Sequence, residues 1–90
     1  SYGNAAKREL QAFLNREDGL RRAGDYKLPI AVWLRADGSL ERWELQGGSG
    51  NPETDELLKK AMARFQGFKN PPPPNMPWPM RLQVSNRMAG

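Results

Sequence analysis

The spacing of apolar residues changes three times along the chain. Ala6, Leu10, Phe13 and Leu14 recur at helical spacing, with Lys7, Arg8, Glu9 and Arg16 elsewhere on the wheel. This predicts a helix near 4–17, capped by Ser1 or Asn4. Asn15 to Gly19 reads as its stop, with Gly19 in the left-handed cap conformation. Leu20-Arg21-Arg22-Ala23 fits one further short turn before Gly24. From Leu28 the period drops to two. Leu28, Ile30, Val32 and Leu34 alternate with Pro29, Ala31, Trp33 and Arg35, as in a strand with one buried face. Pro29 lacks an amide proton and belongs at the start of this strand or on a free side.

Ala36-Asp37-Gly38-Ser39 is a hairpin signal. A two-residue Asp-Gly loop would turn Leu40 to the wrong face. A three-residue loop with Gly38 in left-handed space pairs Leu34 with Leu40 instead, and is the preferred register. Trp43 and Leu45 are then out of phase with Leu40 by one residue, so a bulge near Glu41-Arg42 is needed to return them to the core face. On this register Gly38→Val costs about 1–2 kcal/mol.

The helical period returns after Gly47-Gly48-Ser49-Gly50. Asn51 is a good N-cap and Pro52 suits the first helical position. Glu53, Asp55 and Glu56 precede Lys59, Lys60 and Arg64, in the order the helix dipole favours. Leu57, Leu58, Ala61, Met62 and Phe65 form one stripe, and Gly67 is a natural stop. The four prolines at 71–74 favour polyproline II and read as a stiff spacer, with Trp78 packing down on the domain. Met80, Leu82 and Val84 then alternate with Arg81, Gln83 and Ser85, which makes a last strand near 80–86. Residues 87–90 read as a frayed tail.

Helix, strand, strand, helix, strand has few packings. A hairpin followed by a right-handed crossover helix gives an α+β fold: a three-stranded antiparallel sheet in the order second–first–third, with two helices packed on one face. The strands are expected near 27–35, 39–46 and 80–86, and the second helix near 52–66. The other face carries Ala31, Trp33, Arg35, Arg81 and Gln83. The second strand's edge is blunted by its bulge and by Glu41, Arg42 and Glu44. The third has no internal proline and no acidic residue, so its edge is a free template for another backbone.

Ninety residues make one domain, 1–90, and Leu, Ile, Val and Phe account for only 16 of them, so the core is thin. The chain has no histidine and no cysteine, which removes disulfides, Cys/His zinc sites and Cys or His catalysis. No base or nucleophile converges with Glu53, Asp55 and Glu56, so no catalytic residue, metal or cofactor is expected. The net charge is +4, with six basic residues and no acidic one after Glu56. They form no stripe on one face, which argues against a nucleic-acid interface; a small basic nucleic-acid-binding domain is the weaker alternative, and a salt-steep affinity would revive it. There is no run of apolar residues long enough to span a membrane. Ser1 is not an initiator methionine, so the chain reads as an excised or mature piece with its targeting signals upstream.

From Leu28 to Val84 the chain resembles the C-terminal domain of the TonB and TolA family of energy-transducing periplasmic proteins. The resemblance rests on the alternating strand, then Asp37-Gly38-Ser39-Leu40, Trp43 and Leu45, then Ser49-Gly50-Asn51-Pro52 with Asp55 at the family's usual acidic position. Ala61 and Phe65 follow in the helix, and a Pro-rich run leads to a last alternating strand. Tyr2 is followed by Gly3, where the TonB branch usually shows Tyr-Pro. The longer lead-in helix is nearer the TolA branch, whose frequent disulfide is absent here, so both branches stay open.

The resemblance implies a periplasmic domain of a protein anchored in the inner membrane. Upstream regions would couple to an ExbB/ExbD-type, proton-driven motor. The domain would grip the N-terminal segment of an outer-membrane TonB-dependent receptor, as in siderophore or iron uptake. A TolA-like envelope-integrity domain that binds periplasmic partners is the alternative, and a homodimer stays open. The partner-binding residues expected on this reading are Met80, Arg81, Leu82, Gln83, Val84, Ser85 and Asn86. Asp37, Gly38, Ser49, Gly50, Asn51, Pro52 and Asp55 are expected to hold the frame. Backbone hydrogen bonds would supply the affinity, micromolar or weaker, and Arg81 a mild preference for an acidic peptide residue.

Overall fold

A computed structural model describes residues 1–86. The elements are α1 (Tyr2–Asn15), α2 (Asp18–Arg21), β1 (Lys27–Leu34), β2 (Leu40–Leu45), α3 (Pro52–Arg64) and β3 (Met80–Ser85). The expected tail at 87–90 lies outside the described residues.

The three strands form one antiparallel sheet in the order β2-β1-β3. Ala6, Leu10 and Leu14 of α1, Leu20 of α2, and Leu58, Ala61 and Met62 of α3 share one core. The strands contribute only one parity to it: Leu28, Ile30, Val32 and Leu34 from β1, and Met80, Leu82 and Val84 from β3. All three helices therefore cover the same face. Phe65 closes this layer, with ring centroids 5.0 Å from Phe13 and 5.1 Å from Phe68.

The hairpin follows the expected register. Leu34 pairs with Leu40, Gly38 has a φ of 93°, and the pairing slips between Trp33 and Leu34, which leaves Glu41 as the bulged residue. Beyond the bulge Trp43 faces Val32 and Leu45 faces Ile30, so both return to the core side. Pro29 opposes Gln46, just past the end of β2, where its missing amide leaves little of the ladder unpaired.

Three expectations need correction. Gly19 is not a left-handed cap; it lies inside α2, and α1 ends at Arg16 in right-handed space. A Cβ on Gly19 would come 2.8 Å from Leu57 Cδ2, so close helix packing, not backbone conformation, calls for a small residue there. The short turn begins two residues earlier than its apolar residues suggest, at Asp18, making a third helix. Trp78 does not pack down: it is 36% exposed and borders a groove of about 380 Å³ between the proline run and the end of β1.

Two carboxylates tie turns to the frame. Asp37 Oδ1 accepts from Ser39 Oγ at 2.7 Å and from Ser39 N at 2.9 Å. The Ser39 hydroxyl first, then its amide, hold Asp37 below the usual carboxylate range. The Ser49 hydroxyl and amide do the same for Asp55, whose Oδ1 accepts from Ser49 N at 2.8 Å. Both groups are more acidic folded than unfolded. Their stabilisation is therefore complete above the ordinary pKa of 3.8 and is lost as the pH falls through the depressed folded values. Urea midpoints are expected to hold down to about pH 5 and to drop below about pH 4. The double variant Asp37→Asn, Asp55→Asn should fall less steeply over that interval; an unchanged slope would place the acid sensitivity elsewhere.

Candidate functional site

The direction of each backbone group on the sheet edges follows from a few hydrogen bonds. Gln46 N donates to Pro29 O at 3.0 Å and Arg35 N to Ser39 O at 2.9 Å. Odd-numbered residues of β1 therefore turn toward β2 and even-numbered ones toward β3. Leu28, Ile30 and Val32 oppose Val84, Leu82 and Met80, and Asn86 N continues the ladder to Tyr26 O at 3.3 Å. On β3 the amides and carbonyls of Arg81, Gln83 and Ser85 consequently point away from the sheet.

The outward groups are not equivalent. Ser85 N donates to Gln11 Oε1 of α1 at 2.9 Å. The amides of Arg81 and Gln83 have no hydrogen-bond partner among the described residues. Of the seven residues expected to bind a partner, Met80, Leu82 and Val84 form the inner ladder and the core. Arg81 and Gln83 present open backbone, and Ser85 is closed by Gln11. Asn86 is a clip: its Oδ1 accepts from Tyr26 N at 2.7 Å, and its Nδ2 donates to Gly24 O at 2.6 Å and Ala23 O at 3.3 Å.

Arg81 is less free than its charge suggests. Its Nε donates to Gln46 Oε1 at 3.0 Å, reaching across the outer face above β1, where Ala31 is fully buried. On the same face the Arg42 guanidinium lies 4.6 Å from the Trp33 ring centroid. The outer face is thus laced by long side chains lying over small or flat ones.

The β2 edge is shorter and bent. Leu40 N is taken by Gln66 O at 3.0 Å, Glu41 is bulged, and Glu44 pairs with Arg42. Outward groups remain at Trp43 and Leu45, beside two exposed carboxylates.

The frame residues position the approach to β3. Asn51 Oδ1 accepts from Glu53 N at 2.9 Å and starts α3. Beyond α3 the chain runs along the hairpin: Ser39 bridges Gly67, and Phe68 N donates to Gly38 O at 2.9 Å. α1 holds the next residues, with Glu9 accepting from Lys69 N and the Tyr2 hydroxyl donating to Asn70 O at 2.8 Å. Burial raises the Tyr2 phenol, and Glu9 adds to the shift. The proline run thus starts from a fixed point and delivers β3 to its place beside β1.

A family model described as TonB C terminal matches residues 1–85. The chain belongs to the TonB C-terminal family. The match takes in α1 as well as the sheet. No curated protein and no solved structure matches the chain. TonB C-terminal domains are periplasmic interaction domains, not enzymes, and as a family they engage outer-membrane receptors. No described helix of this TonB domain is long and apolar enough to cross a membrane.

The sequence carries no local signal for two residues beside the β3 edge, Gln11 and Tyr26. Both contribute to an open cleft of about 600 Å³ at the C-terminal end of β3, with Lys7, Leu14, Leu20 and Arg21. Burial raises the Tyr26 phenol, and the nearby Gln11 amide opposes the shift. Gln11 sits one position past the apolar stripe of α1, a place that carries no signal of a partner 74 residues away.

Proposed function

We propose that this TonB C-terminal domain captures an extended N-terminal segment of an outer-membrane receptor as a fourth strand on β3. Force generated by an ExbB/ExbD-type motor would reach the receptor through it. The observation that carries the reading is the pair of outward amides at Arg81 and Gln83, which have no partner among the described residues, on a strand paired with β1 without a bulge. Strand addition satisfies these groups with any extended backbone, which suits a domain that serves several receptors. β3 is favoured over β2 because it has no bulge and no carboxylate beside the open groups.

An edge of this length gains a few backbone hydrogen bonds, each worth about 0.5–1.5 kcal/mol net. After the cost of association the affinity should be micromolar or weaker, as suits a contact made and broken in each transport cycle. The direct test is titration of the isotope-labelled domain with peptides tiling the N-terminal segments of outer-membrane receptors from the same genome. Amide shifts are expected to concentrate at Arg81 and Gln83. Shifts confined to Trp43 and Leu45 would move the site to β2. Concentration-dependent shifts at β3 without peptide would assign that edge to a second copy of the domain.

A further inference from the structure

We propose that Gln11 is a latch on the receptor-binding edge: its side-chain amide stands in for one peptide group of the captured strand, and pairing beyond Gln83 requires its displacement. The inference rests on the edge reading above and adds to it a residue that sets where the added strand ends.

The chemistry of the contact is that of a sheet. A glutamine side chain ends in the same amide group as a peptide bond, and Gln11 Oε1 meets the outward Ser85 N at 2.9 Å, an ordinary ladder distance. Gln11 Nε2 donates to Asn15 Oδ1 at 2.9 Å, one turn along α1, which fixes the direction of the amide. The side chain is only half-buried, and the contact closes one end of an edge whose next two outward amides are open. Beside it lies the open cleft floored by Leu14, Leu20 and Tyr26, so a displaced Gln11 has room to move without disturbing the core. When a peptide carbonyl takes over the Ser85 amide, one hydrogen bond replaces another. That rung then adds no net affinity in the natural domain but does add it once the latch is gone.

The test uses Gln11→Ala and Gln11→Glu. Alanine is the strongest helix former and replaces a side chain that lies outside the buried core, so α1 is expected to persist. It should speed hydrogen exchange at Ser85 in the free domain and tighten binding of a receptor N-terminal peptide by about 2- to 10-fold, the worth of one net hydrogen bond. Peptide-induced shifts should then extend from Arg81 and Gln83 to Ser85. Glutamate keeps the acceptor and charges it, which strengthens the latch and should weaken peptide binding by a similar factor. Unchanged Ser85 exchange in Gln11→Ala would mean there is no latch. Faster exchange with equal affinity in all three proteins would overturn the inference alone, because the peptide would then end at Gln83 while the edge reading stands. No shift at Arg81 or Gln83 in any of them would remove the edge reading, and the inference with it.

Discussion

Gly67→Ala is expected to destabilise the domain by on the order of 3 kcal/mol or more, enough to unfold a large fraction of a module this small. Two independent effects add at this position. The backbone has a φ of 132°, which an L side chain rarely adopts. A Cβ would also lie 2.6 Å from Gly38 O, 2.6 Å from Ser39 Cα and 2.8 Å from Leu40 N. All three are backbone atoms of the hairpin, so no side chain can rotate aside to relieve the clash. Gly38 faces the same junction from the other side. There a Cβ would meet Asn70 O at 2.7 Å and Phe68 O at 3.0 Å, so Gly38→Val should exceed the 1–2 kcal/mol or so that the turn conformation alone implies. Urea denaturation followed by tryptophan fluorescence measures both. A midpoint near that of the natural chain for Gly67→Ala would mean that the hairpin and the segment after α3 are not locked together.

The second large effect separates the two sides of β3. Leu82→Pro is expected to unfold the domain. It removes a rung to Ile30 at the centre of the β1–β3 ladder, together with a side chain that is 3% exposed. Gln83→Pro, one residue on, should leave the sheet standing, since its amide faces outward and proline is tolerated on a free edge. The same change removes a donor from the proposed binding edge and sets a ring where the added strand must approach. Peptide affinity is expected to fall about tenfold or more. Circular dichroism with peptide titration distinguishes the two. A folded Gln83→Pro domain that binds the peptide as tightly as the natural chain would exclude β3 as the capture edge.

The change from a 3.6-residue to a two-residue period at Leu28, and back at Asn51, determined the elements. Each local rule there agreed with its neighbours: Asn51 and Pro52 start α3, Gly38 permits the turn, and the phase slip between Leu40 and Trp43 demands the bulge that Glu41 supplies. Sheet order followed from connectivity, because a hairpin with a crossover helix leaves β1 in the middle. That β3 lies at an edge followed from the same connectivity, and among the described residues its outward amides at Arg81 and Gln83 have no partner.

What lies along that edge was decided by tertiary contacts. Gln11 closes Ser85, Asn86 clips the turn before β1, and Arg81 leans across β1 to Gln46. Each joins residues far apart in sequence, and none carries a local signature, since a polar side chain one position off a helical stripe looks like any solvated residue. Gly19 and Gly67 make the same point for the backbone. Gly19 reads as a helix stop and is in fact a contact surface for Leu57, whereas Gly67 reads as a stop and is also the residue on which the hairpin rests. Periodicity reports which face of an element is buried because burial repeats with the element's own geometry. Which particular atom meets which depends on how the elements are docked, and only the folded chain specifies that.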